Sequence, residues 1–133
     1  MMNKGYIIIQ NFLSTEEHQK LLHTCKTLYD EATNNKNNEH YEWDEQGQLN
    51  KINYACANNK AFKDLANNDI LVYIAKNIIQ TQDTLDCYIS KFFPMQPKTG
   101  TSTFMHQDNY YFQGDNKKIL SCAVYLTDTR KEN

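Results

Sequence analysis

The sequence lacks the features that would place a protein in a membrane, in a secretory route or on nucleic acid. Its longest apolar runs, Tyr6–Ile9 and Ile70–Ala75, are far too short to cross a bilayer. The N-terminus turns polar at Gln10 and so departs from the charged, apolar and small-residue pattern of a secretory signal. The formal net charge is −2 with acids and bases intermixed, and no basic stripe is present. We therefore expect a cytoplasmic protein with no membrane span and no nucleic-acid partner.

Paired cysteines are also absent. The four cysteines, Cys25, Cys56, Cys87 and Cys122, are widely spaced, and none belongs to a CxxC pair. A zinc site built from them is therefore not expected. Reduced and mostly buried thiols are the expectation for a cytoplasmic protein.

The residues that are present suffice for one folded unit. The chain has 133 residues, of which 40% are hydrophobic and 12% are aromatic, so it suits a single packed domain over residues 1–133.

Gly5–Gln10 (GYIIIQ) is a β-branched run and predicts a strand. Ser14-Thr15-Glu16-Glu17 forms a capping box that predicts the start of a helix. A second helix is predicted after Asn67–Asp69, where three residues can each serve as its cap.

Later segments favour strands. Leu49–Ala57 is predicted to be a strand or an irregular extended segment. From Thr84 apolar and polar residues alternate up to Ser90, as in a half-buried strand. Phe104–Phe112 is predicted to be extended, and Ile119–Leu126 (ILSCAVYL) is a hydrophobic strand candidate. Helices early and strands late predict an α+β fold with an antiparallel sheet.

The most informative motif is His106-Gln107-Asp108. In an extended segment residues i and i+2 project to the same side, so an imidazole and a carboxylate can converge while Gln107 faces elsewhere. These are two ligands of the facial triad that binds iron(II) through two histidines and one carboxylate. The pair also occurs without any metal, as a surface histidine beside a turn-forming aspartate.

Three segments together resemble the phytanoyl-CoA dioxygenase family. Tyr88–Asp108 (YISKFFPMQPKTGTSTFMHQD) is similar to that family's strand, Pro/Gly loop and HQD motif. Gly5–Leu22 resembles its opening strand, "FLS" turn and first helix. Ile119–Asn133 resembles the strand after the motif, where the family continues through an "ENG" turn.

The resemblance implies helices packed on a double-stranded β-helix, or jelly-roll, core of the cupin type. It implies an iron(II) centre that uses 2-oxoglutarate and O2 to hydroxylate an aliphatic C–H of a small-molecule or acyl substrate. His106 and Asp108 would be catalytic metal ligands. Gln107, Tyr88 and Lys51 would lie at the cosubstrate.

The sequence departs from the family pattern at its end. The family's distal iron-binding histidine and carboxylate anchor follow the "ENG" turn, whereas this chain ends at Asn133. We therefore expect the N-terminal portion of the enzyme, with an incomplete barrel. An exposed sheet edge along Ile119–Leu126 would then favour self-association. The other histidines, His18, His23 and His40, are expected to be solvated or half-buried on or near the first helix.

Two alternatives stay open. The chain could be a non-catalytic jelly-roll relative or inactive fragment that binds a ligand or partner without turnover. It could also be an α+β interaction domain in which HQD is coincidental.

Overall fold

A computed structural model describes residues 5–96, 103–115 and 118–130. Residues 97–102, which belong to the Pro/Gly loop of the family resemblance, and the final three residues lie outside the described residues. The elements follow in the order α1 (Thr15–Asn34), β1 (Tyr41–Trp43), β2 (Leu49–Asn53), α2 (Ala55–Asn58), α3 (Lys60–Ala66), α4 (Asp69–Ile79), β3 (Lys91–Phe92) and α5 (Asn109–Phe112).

Helix α1 begins at the predicted capping box. The Ser14 hydroxyl accepts the Glu17 amide at 3.2 Å, and the Ser14 amide donates to the Glu17 carboxylate at 2.8 Å. These two bonds satisfy orphan donors of the first turn. Hydrogen bonds from the Ser14 side chain and then from its backbone hold the pKa of Glu17 below its ordinary value. The sequence prediction for this helix start is confirmed.

The hydrophobic core lies between α1 and the sheet. Ala32 of α1 is fully buried and packs against Leu49 and Ile52 of β2, which are 3% and 5% exposed. The partly buried side chains around this cluster are Leu28, Tyr29, Tyr41, Trp43 and Phe92. The apolar side of α1 therefore packs against the sheet.

The sheet has three antiparallel strands in the order β1-β2-β3. The β1–β2 hairpin closes through Asp44, whose carboxylate accepts the amides of Gln46 and Gln48 at 3.0 and 2.8 Å. Gly47 takes a φ of +75° in this turn, a conformation that favours glycine. On the other side of β2, Ile52 aligns with Phe92 of β3. The predicted combination of helices with an antiparallel sheet is confirmed.

Three helices connect β2 to β3. The Asn59 side chain accepts the amides of Ala61 and Phe62 at the start of α3. The Asn68 side chain does the same for Ile70 and Leu71 at the start of α4. Asparagine is among the preferred N-cap residues. The α4 prediction is confirmed, with Asn68 as the cap, whereas α3 was not predicted.

Several strand predictions were wrong. Gly5–Gln10 and Ile119–Leu126 form no strand, and among the described residues after Thr84 only Lys91–Phe92 is paired. The alternation of apolar residues is real, but a strand also needs a hydrogen-bonded neighbour. Ile8 and Tyr125 are instead 77% and 72% exposed.

The described strands form one small sheet, whereas a jelly roll requires two facing sheets. The jelly-roll core therefore stays a prediction. None of the described helices has the length and apolarity needed to cross a membrane.

Candidate functional site

The HQD motif lies where a segment without regular structure leads into a short helix. Residues 103–107 have no regular structure, Asp108 forms a turn and α5 follows. The prediction that Phe104–Phe112 is extended is therefore wrong for α5, and no strand is described over residues 103–107. Residues i and i+2 still face one another: His106 Nε2 lies 3.3 Å from Asp108 Oδ1.

The second nitrogen of His106 is held by the backbone. Nδ1 lies 2.7 Å from the carbonyl oxygen of Phe104. A carbonyl oxygen only accepts hydrogen bonds, so Nδ1 carries the hydrogen in this contact. In the neutral imidazole Nε2 then presents its lone pair toward Asp108. Histidine ligands of metals are commonly oriented by such a bond to the opposite nitrogen.

The two oxygens of Asp108 also have separate roles. The Ser121 hydroxyl donates to Oδ2, while Oδ1 faces His106. Asp108 immediately precedes α5, yet its side chain makes no cap hydrogen bond to that helix. An aspartate that served only the turn would cap it. Its carboxylate is instead directed toward His106 and Ser121.

The separation of Nε2 and Oδ1 suits a shared cation. Two ligand atoms bound at right angles through metal bonds of about 2.1 Å lie about 3.0 Å apart. The observed 3.3 Å is close to that spacing. A nitrogen lone pair and a carboxylate oxygen this close together are stabilised by a proton or a cation between them. The residues present therefore fit two neighbouring positions on a divalent metal ion.

The described residues supply two ligands at this place and not three. They contain no group of three or more His, Cys, Asp or Glu side chains that could hold a metal ion. His18 Nε2 donates to the Leu126 carbonyl oxygen at 2.7 Å, and His40 packs edge-on against Tyr54. Both histidines are half-buried, whereas His23 is exposed on α1.

Aromatic rings surround the motif. Tyr111 packs edge-on against His106 with ring centroids 5.7 Å apart, and Tyr110 packs against Tyr111 at 5.3 Å. Tyr88 contacts Phe112, at the end of α5, with centroids 5.3 Å apart. Tyr88 is itself 76% exposed. The structure therefore brings this predicted cosubstrate residue to the helix that follows the motif.

The other two predicted cosubstrate residues are placed differently. Lys51 lies on β2, where its ammonium is 2.8 Å from the Glu42 carboxylate. The side chain of Gln107 is exposed, and the backbone carbonyl oxygen of Gln107 accepts the Tyr110 amide at 3.0 Å. No hydrogen bond, ion pair or ring contact described for these two residues joins them to the side chains of His106 or Asp108.

Sequence reasoning missed Ser121. Gly114 lies close to the segment that carries Ser121, because a Cβ added to Gly114 would lie 2.8 Å from the terminal methyl of Ile119. The available signal was a serine on the alternating face of an otherwise apolar segment, Ile119–Leu126. A polar residue at such a position predicts a specific partner.

Comparison with known proteins supplies the family. The model of the phytanoyl-CoA dioxygenase (PhyH) family matches residues 1–133, the whole chain. No curated protein and no solved structure matches the sequence. The chain belongs to the phytanoyl-CoA dioxygenase family, and the resemblance stated from its motifs is confirmed. This membership indicates an oxygenase of the iron(II)- and 2-oxoglutarate-dependent kind.

Proposed function

We propose that this chain carries the His-x-Asp part of an iron(II) site that hydroxylates an aliphatic C–H of a small-molecule or acyl substrate. The proposal depends on one observation: His106 Nε2 and Asp108 Oδ1 face each other at 3.3 Å while the opposite atom of each side chain is held by another group. Two ligand atoms are therefore preorganised before a metal binds, which lowers the cost of ordering them.

The iron would supply oxidative decarboxylation of 2-oxoglutarate coupled to O2 activation. The residues of the chain would hold and orient the centre. The Phe104 carbonyl keeps the hydrogen of His106 on Nδ1, and Ser121 keeps Oδ2 of Asp108 turned away from Nε2. Tyr111 limits rotation of the imidazole by packing on its edge.

Gln107 and Tyr88 are proposed to contribute to the cosubstrate side of the site. Tyr88 is supported by its contact with Phe112, one helical turn from the motif. Lys51 is the weakest of the predicted cosubstrate residues, because its ammonium is already paired with Glu42. We further propose that the barrel predicted for the family is a jelly roll to which the described sheet contributes, and that the protein acts in the cytoplasm.

Anaerobic titration with Fe(II) and 2-oxoglutarate tests the site, with the metal-to-ligand charge-transfer absorption as the readout. We expect a band that requires both additives. His106→Ala and Asp108→Ala should each weaken metal binding by more than about 100-fold, because each removes a direct ligand. Ser121→Ala should weaken it by about 10- to 100-fold, the usual effect of losing a group that orients a ligand.

The matched control is His23→Ala, since His23 is exposed on α1 and remote from the motif in sequence. It should leave the band unchanged. Absence of a band in the unaltered chain, or equal loss in His23→Ala, would contradict the proposed iron site. A band without succinate formation under O2 would instead contradict the proposed turnover.

A further inference from the structure

We propose that His18 is a positioning residue of the candidate iron site. Its Nε2 donates to the carbonyl oxygen of Leu126 at 2.7 Å, across 108 positions of sequence. That bond attaches the segment Ile119–Leu126 to helix α1, and the segment carries Ser121, which donates to Asp108. The expected effect on metal affinity rests on the proposed iron site, whereas the expected effect on the contact between Ser121 and Asp108 does not.

His18 lies on the packed side of α1. Leu21 follows it by three positions and Cys25 by seven, and such spacings place residues on the same side of a helix. Leu21 and Cys25 are 5% and 8% exposed, and His18 is half-buried. The imidazole therefore belongs to a side of α1 that apolar packing fixes. A polar side chain in such a place needs a partner, which the Leu126 carbonyl supplies.

The segment Ile119–Leu126 is attached to α1 at its C-terminal end. It forms no strand among the described residues, so sheet pairing does not fix its position. Val124 and Leu126 are half-buried, whereas Ser121 is exposed. The His18 bond is itself partly buried, so water competes less for the Leu126 carbonyl than it would at the surface.

The attachment at Leu126 restricts Ser121. Ser121 precedes Leu126 by five residues, so it stays within about 17 Å of the attached residue even if the chain between them is fully extended. A segment that is already restricted loses less conformational freedom when Ser121 meets Asp108. The hydroxyl of Ser121 holds Oδ2 of Asp108, and Oδ1 of the same carboxylate faces His106 Nε2 at 3.3 Å. His18 therefore acts through Ser121 on the orientation of the carboxylate.

A first experiment uses the metal-free full chain and follows the carbon resonance of the Asp108 side-chain carboxyl by NMR. Ser121→Ala defines the displacement that results from loss of the hydroxyl bond. His18→Leu should move the resonance in the same direction by a smaller amount, because Ser121 then meets Asp108 in only part of the molecules. His18→Gln should restore the resonance, because its amide nitrogen donates at about the reach of the histidine Nε2. His23→Leu is the matched control, since His23 is exposed on the same helix, and it should change nothing.

A second experiment titrates the same variants anaerobically with Fe(II) in the presence of 2-oxoglutarate. His18→Leu should weaken metal binding by about 3- to 10-fold, less than Ser121→Ala, because it acts one contact further from the metal. His18→Gln should stay within about 2-fold of the unaltered chain, since the donor is retained. When Ser121→Ala is already present, His18→Leu should weaken binding by less than about a further 2-fold, because the residue through which His18 acts is gone. A general loss of stability would instead weaken binding equally in both backgrounds.

Several results would overturn the proposal. One is an Asp108 resonance that does not respond to Ser121→Ala or to His18→Leu. Another is an equal effect of His18→Leu with and without Ser121, and a third is failure of His18→Gln to restore the contact. Should His18→Leu unfold the chain, His18→Asn takes its place, because its amide is too short to reach Leu126; the same behaviour in His18→Gln and His18→Asn would then overturn the proposal. If the unaltered chain binds no iron, the proposed function fails, and the metal-free NMR comparison still decides the role of His18.

Discussion

The part of the chain from α1 to α4 and the part that carries the HQD motif are built differently. All six residues of the described hydrophobic core lie between Leu21 and Ala55. In the described residues from 103 onward none is buried, and Phe104 and Met105 are 88% and 100% exposed. The first part is held by apolar packing, whereas the second is held by a few polar contacts.

Those polar contacts concentrate on the candidate site. His106 binds the Phe104 carbonyl, Asp108 binds Ser121, and the Asn109 side chain accepts the Gly114 amide at 3.0 Å. His18 of α1 reaches the Leu126 carbonyl and so connects the two parts. Functional residues are often carried by segments of low packing that a rigid element positions. Here His18 provides one such supporting contact from the packed part.

The largest expected effect comes from creating a cavity in the hydrophobic core, which tests whether apolar packing stabilises the first part of the chain. Ile52→Ala removes buried methyl and methylene groups between α1 and β3, so we expect a loss of about 2–5 kcal/mol in the free energy of unfolding. Ile8→Ala is the matched control, because Ile8 is 77% exposed, and it should change that free energy by less than about 0.5 kcal/mol. Chemical denaturation of both variants measures the values. Equal losses would show that residues 5–10 are packed as tightly as the sheet.

The same difference explains which elements could be predicted from the sequence. The starts of α1 and α4 could be predicted because the capping residues of each helix lie within three residues of one another. Ser14 and Glu17 cap α1, and Asn68 caps α4. The segments Gly5–Gln10 and Ile119–Leu126 have the composition of strands, but their partners are not specified locally. Helix α3 was missed because its cap, Asn59, follows directly on the short helix α2.

The contacts of the candidate site also divide into those that the sequence spacing predicts and those that it does not. The convergence of His106 and Asp108 follows from their spacing, and the structure shows it. Ser121 is thirteen residues from Asp108, so no local sequence pattern specifies their contact. Lys51 was assigned by resemblance alone. A resemblance between sequences gives no information about Glu42, which lies across the hairpin and is paired with Lys51.

A second and smaller effect concerns self-association through the apolar segments Tyr6–Ile9 and Ile119–Leu126. The two segments have strand-like sequences without a described strand partner, and a second copy of the chain offers the same unpaired backbone.

We therefore expect a dimer at micromolar concentrations in sedimentation velocity. Charged substitutions on the two segments, Ile8→Lys with Tyr125→Lys, should weaken dimerisation several-fold. The control is Tyr73→Lys, because Tyr73 is 70% exposed on α4, outside both segments. A monomer at every concentration would show that these segments are not an interface. Equal weakening by Tyr73→Lys would place the interface on α4.

The smallest expected effect is the stability that the ion pair between Lys51 and Glu42 contributes. Measuring it distinguishes a structural role of Lys51 from a role in binding the cosubstrate. Hydrogen bonds from Lys51 and then from Asn53 hold the pKa of Glu42 below its ordinary value of 4.5. A depressed carboxyl pKa in the folded state contributes stability above the unfolded value, and that contribution is lost as pH falls through the folded-state pKa. Because the Glu42 side chain is 47% exposed, the contribution should stay below about 1 kcal/mol.

Glu42→Gln should therefore be less stable than the unaltered chain at neutral pH, and the difference should vanish as the pH falls below 4.5 through the lower folded-state pKa of Glu42. Lys51→Gln should lose a similar amount at neutral pH if the ion pair is its main role, and should leave the affinity for 2-oxoglutarate unchanged. Urea denaturation across pH and 2-oxoglutarate titration of the iron-loaded chain measure the two quantities. A Lys51→Gln variant with normal stability and weakened 2-oxoglutarate binding would return Lys51 to the cosubstrate site. It would also show that the two parts of the molecule meet there, because a residue of the packed sheet would then serve the open site.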